Sequence, residues 1–155
     1  MTDVLAARVA QPDMQGLPEW RVAEILNAPD AAFDRVTVQV PVADARQVLM
    51  ASLTPDFTTN SWVAILLAAD DVANPARKPA LAIREAIRAA NVINMADPME
   101  AAMVMATLQA LITAEVITEQ TRDALIALSQ KKQSWADANG VEVTAQTVSL
   151  ARRRI

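Results

Sequence analysis

Residues 97–115, DPMEAAMVMATLQALITAE, decide how this chain folds. Asp97 is a capping residue, Pro98 stands at a first helical position where its missing N–H costs nothing, and Glu100 has the spacing of a capping box. The pattern predicts a helix from Pro98 to about Glu115. That helix is apolar on nearly every side, so one partner surface cannot satisfy it. It is either the central helix of the fold or an oligomer contact.

Working outward, helical spacing recurs on both sides. Downstream, Thr118 caps a helix reaching Leu128, and Ser134 with Asp137 repeats the capping pattern for a short helix that stops at Gly140. After an extended piece at 141–143, Thr144 caps a last helix to about Arg153. Upstream, a helix is expected from about Ala80 to Asn94, preceded by the proline-bearing, charged loop DDVANPARKP at 70–79. Thr59, Asn60 or Ser61 caps an apolar helix containing Trp62, Ile65, Leu66 and Ala69. Further helices are expected at Ala43–Leu53, from Pro18 to Asn27, and from Asp3 to Ala10 after a Thr2 cap. Between them VTVQVPV, residues 36–42, places Val at alternate positions, the period of a half-buried strand, and Pro41 makes it an edge strand or an extended arm.

The expected fold is therefore mainly α: a compact bundle of about six to eight short helices with one short extended or edge β segment near residues 36–42. With 155 residues the chain is expected to form a single helical domain, 1–155, with a small C-terminal subunit at 134–155 and an extended arm at 28–42. A chain of this size hides about two thirds of its surface on folding. Alanine accounts for 32 residues, so the 53% hydrophobic share overstates bulky core material and favours closely packed helices.

Composition excludes much chemistry. There is no His and no Cys, which removes the common zinc sites, the Ser-His-Asp and Cys-His nucleophile systems and disulfide frameworks. The two glycines, Gly16 and Gly140, lie too far apart in sequence for a phosphate loop. Asp70 and Asp71 are adjacent carboxylates that point in different directions with no third ligand nearby, and they are read as solvated loop charge. No catalytic, cofactor or metal residue is assigned. The first residues carry Asp3 and Arg8 and do not read as a signal peptide, and the apolar run Trp62–Ala69 is too short to cross a bilayer. A net charge of −4 argues against general nucleic-acid binding, although residues 1–76 sum to −6 and residues 77–155 to +2.

What remains is surface. Met95, Met99 and Met103 recur four residues apart; methionine at helical spacing packs into a core as a rule, and otherwise into a subunit interface. Trp20, Trp62 and Trp135 sit on three separate helices, and rings of this size anchor cores or contacts. Arg152, Arg153 and Arg154 either complement a helix C-terminus or touch an acidic partner. The partner-binding candidates are Trp20, Trp62, Met99, Met103, Trp135, Arg152, Arg153 and Arg154.

Two segments carry a family likeness. PDMQGLPEWRVAEILNAPD, residues 12–30, and SWADANGVEVTAQTVSLAR, residues 134–152, resemble the opening and closing units of a family of small tailed-bacteriophage proteins that travel with virion structural genes. Leu26, Asn27, Ser134, Ala136, Gly140, Val143, Ala151 and Arg152 carry the likeness. The chain departs from it at Trp135, where the family often has Arg, and at Asn139, where Leu is common. The resemblance implies a structural role in a phage particle or its assembly, without an active site or cofactor. The expected protein is a non-enzymatic neck or tail component of the virion, made in the host bacterial cytoplasm. It would bind other phage structural proteins, in multiple copies around a ring, with no membrane partner. The alternatives are an assembly chaperone or adaptor absent from the mature particle, and a DNA-contacting regulator using Arg152–Arg154.

Overall fold

A computed structural model describes residues 2–155, and the side chains from Val4 onward. In chain order its elements are α1 (Thr2–Val9), α2 (Glu19–Asn27), β1 (Val36–Thr37), β2 (Gln39–Pro41), α3 (Val42–Ala51), α4 (Ser61–Asp70) and α5 (Arg77–Ala89). There follow β3 (Val92–Asn94), α6 (Pro98–Thr113), α7 (Glu119–Leu128), β4 (Gln130–Lys131), α8 (Trp135–Asn139) and α9 (Ala145–Arg152). The protein is mainly helical, 57% of it in nine helices among the described residues. They include the short helix expected to stop at Gly140, α8, which is five residues long and closed by its own cap and glycine. The Thr2 cap lies outside the described side chains.

Local capping chemistry sets most boundaries. Asn60, Asp97, Thr118, Ser134 and Thr144 each accept a backbone N–H from the first turn of their helix. Full capping boxes form at Ser134–Asp137 and at Thr144–Thr147. The box expected at Asp97–Glu100 does not form: the Glu100 carboxylate accepts instead from the Asn94 N–H at 3.0 Å, tying α6 to β3. Gly140 closes α8 at φ 62°. Helix α5 starts within the expected loop, because Pro79 falls in a first turn whose N–H groups have no intrahelical partner anyway. It ends at Ala89, and Val92–Asn94 form β3 where helix was expected.

The expected strand at 36–42 is divided. Val42 already belongs to α3, and Gln39–Pro41 pairs antiparallel with β3, Val40 standing opposite Ile93. So the segment is not a free arm waiting for a neighbour's sheet. β1 pairs with β4 in a second two-stranded ladder.

Two compact units can be distinguished, residues 1–36 with 132–155, and residues 37–131. The first has a core of Leu5, Val9, Met14, Val22, Leu26, Val143 and Val148, with α9 packed on α1 and α2. Residues 134–155 thus belong to one body with the N-terminal helices instead of a separate subunit. The Asn27 side-chain amide donates to the Val143 carbonyl at 2.7 Å within it. The second unit is built on α4 against α5, with Leu49, Trp62, Ile65, Ile83, Ile87, Leu108, Leu111 and Ile117 at its centre.

Candidate partner-binding face

Helix α6 answers the alternative posed by its sequence: only one of its sides is packed. Leu108 and Leu111 are buried, while Met99 is 75% exposed and Met103 65% exposed. Ala102, Ala106 and Ala110 extend the exposed stripe along the helix. Polar atoms are withdrawn from this surface, since the Thr107 hydroxyl donates to the Met103 carbonyl at 2.8 Å and the Thr113 hydroxyl to the Gln109 carbonyl at 3.0 Å. No charge interrupts it between Glu100 and Glu115. A contiguous apolar patch of this kind marks a contact surface.

Beside the stripe runs a groove of about 380 Å³. Ala82 and Ala86 of α5 with its C-cap Ala90 line one side, Met99, Met103 and Val104 of α6 the other, and Val92 and Ile93 of β3 also line it. The alanines make it wide. Asp97 and Glu100 put two carboxylates on its lining where α6 begins. Below lies an apolar cavity of about 50 Å³, and Ile83, Ala86, Ile93 and Val104 belong to both linings.

The other candidates divide sharply. Trp62 is buried in the second unit's core, with the Arg46 guanidinium 5.6 Å from its ring centroid. Trp135 is half-buried against the first unit's core. Trp20 is 63% exposed on α2. Arg152 is turned inward: its guanidinium donates to the Leu17 carbonyl at 2.7 Å and the Met14 carbonyl at 3.0 Å, and lies 3.3 Å from Glu19. Arg153 and Arg154 are exposed. Met14, not the Met99 series, is the methionine placed deep in a core.

Two features escaped the sequence reading. Leu150 and Ile155 are exposed around the arginines. Phe57 is 77% exposed at φ 60°, and its neighbours Asp56 and Thr58 line a polar hollow with Asp71 and Glu115, the last also left-handed at φ 58°. A TPDF turn was the only signal for it. Hydrogen bonds from the Thr54 hydroxyl, then from Thr58, hold Asp56 below the ordinary carboxylate range. The Arg8 guanidinium, bonded to both carboxylate oxygens of Asp13, does the same there. Asp70 pairs with Arg84 at 2.8 Å, and Asp71 accepts the Ala73 N–H. Among the described residues no three carboxylates converge into a metal-binding group.

No protein-family model, curated protein or solved structure matches the chain.

Proposed function

We propose that this chain is a non-enzymatic structural component of a tailed-phage particle, at its neck or tail, that binds larger structural proteins through the exposed face of α6. The observation that supports the binding role is the charge-free Met99–Ala110 stripe with its adjoining groove. Burying two methionines of this size is worth about 1.5–3 kcal/mol each, enough to make the face a hot spot in a contact of ordinary size. The phage setting is supported by the likeness of residues 12–30 and 134–152 to small virion-associated proteins. Virion location and repeated copies in a symmetric assembly follow from the same reading.

Mass spectrometry of purified particles tests it. The chain should appear at a fixed stoichiometry, and Met103→Glu should remove it from particles while leaving its helical circular dichroism intact. Its presence in immature particles alone would reassign it to assembly, as a chaperone or adaptor. Absence from both would overturn the proposal.

A further inference from the structure

The α6 groove asks for an occupant with two properties. It must be apolar along its length, because the walls are Met, Ala and Val, and cationic at one end, because Asp97 and Glu100 line the groove where α6 begins. Asp97 accepts the Met99 N–H and Glu100 the Asn94 N–H, each at 3.0 Å. A carboxylate has about four acceptor sites, so each has capacity left for a guanidinium.

This chain exposes such an element itself. Leu150 is 47% exposed and Ile155 70% exposed, and between them Arg153 and Arg154 face solvent after Arg152 has turned inward. Leu150 lies in the last turn of α9, Arg153 caps that helix, and Arg154 and Ile155 follow it. Only residues 150–152 are helical, and even fully extended the six residues span about 20 Å, less than the about 24 Å of the sixteen-residue α6.

We infer that residues 150–155 of one copy of this chain dock in the α5–α6 groove of a second copy, with Arg153 and Arg154 against Asp97 and Glu100. The two surfaces are different, so the contact is head-to-tail, and its repetition generates a ring where the rotation closes and a filament where it does not. Leu150 and Ile155 fill the apolar length beside Met99 and Met103. The charge-assisted pairs set direction, since a segment inserted the other way leaves both carboxylates facing apolar atoms. This inference rests on reading the α6 face as a binding surface, and it names the partner.

A head-to-tail contact has a signature that no self-complementary one shares. Two variants of the full chain, Met103→Glu in the groove and the double change Arg153→Glu with Arg154→Glu in the segment, are compared with the parent by sedimentation velocity over a range of concentrations. The parent should assemble with rising concentration. Met103→Glu should weaken assembly about 100-fold, and the arginine pair about 10-fold, an effect that shrinks at high salt. Mixing the two at concentrations where each alone is monomeric should yield a dimer that grows no further, because the one intact groove and the one intact segment are joined to each other and both surfaces left free are defective. A monomeric parent, variants that assemble like the parent, or a mixture that stays monomeric would each overturn the inference. Melting curves verify that both variants fold; should Met103→Glu melt early, Met99→Glu carries the same test from the more exposed position. A chain that is monomeric in solution yet present in particles removes only the self-docking, whereas self-assembly with absence from particles removes only the phage reading.

Discussion

Helices α4 and α6 are alike in sequence and opposite in fate. Both are apolar on almost every side, both begin at a side-chain cap, and both contribute to the core of the same unit. Yet α4 buries Ser61, Trp62, Ile65, Ala68 and Ala69, whereas α6 buries only Leu108 and Leu111 and holds Met99 and Met103 out to solvent. Neighbours make the difference. Helix α4 packs along α5 and against α3, with the Ser61 hydroxyl bonded to the Ser52 carbonyl, so five of its ten residues are buried while Val63 and Leu67 stay exposed on its outer side. Helix α6 meets α5 along a seam of alanines too small to fill the space, and the groove results. Hydrophobicity sets what a helix prefers to bury; the size of the residues opposite sets what it does bury.

The largest effect should come from the covered sides. Ile65→Ala and Leu111→Ala remove side chains that are 0% exposed and should cost about 3 kcal/mol each in denaturant unfolding. Met103→Ala should cost less than about 0.5 kcal/mol in the same assay. Equal losses at Leu111 and Met103 would mean that α6 is packed on both sides, and the contrast would collapse.

The same contrast, inward against outward, divides the arginines. Arg152→Ala strips donors from the Met14 and Leu17 carbonyls and should destabilise by about 1–3 kcal/mol, while Arg154→Ala should leave the melting temperature within error. Next in size is the cap of α4. Asn60→Ala removes the acceptor of the Val63 N–H and should cost about 1 kcal/mol, read from the same unfolding curves, because tertiary cover does not replace a lost cap.

The smallest effect is electrostatic. The Thr54 hydroxyl, foremost, lowers the Asp56 carboxyl below its ordinary value, so this interaction stabilises the folded chain above about pH 4 and fades as pH falls through the lowered value. Thr54→Val should therefore differ most from the parent near pH 7, and the gap between their urea midpoints should narrow toward pH 2 to the pH-independent loss of the Thr54–Thr59 bonds. A gap that widens in acid would contradict the assignment.

How much of this was legible in the sequence follows from range. The caps at Asp97, Thr118, Ser134 and Thr144, and the stop at Gly140, depend on residues within a turn or two, and the sequence displays them. The β2–β3 ladder joins Val40 to Ile93 through three residues a side, and no periodicity announces so short a pairing. Arg152 reads as a basic helix end; that it reaches back to Met14 depends on the fold of the whole first unit. For α6 the limit is different in kind. A helix apolar all round has no preferred side, so the open side is decided by Ala82 and Ala86 on another helix and by Ala90 just past its end. The site is legible as a helix, and its direction is not.

The first unit is assembled from residues 1–36 and 132–155, with the whole second unit lying between them in the chain. During synthesis this imposes an order. Leu5, Val22 and Leu26 leave the ribosome long before Val143 and Val148 exist to cover them, and at cellular elongation rates the wait is roughly 6–25 s. The continuous segment 37–131 is complete first and can fold while the early helices are still bare. Nascent chains stalled before residue 132 should thus present the α1–α2 apolar side chains to any holding chaperone, and release should coincide with the arrival of α9.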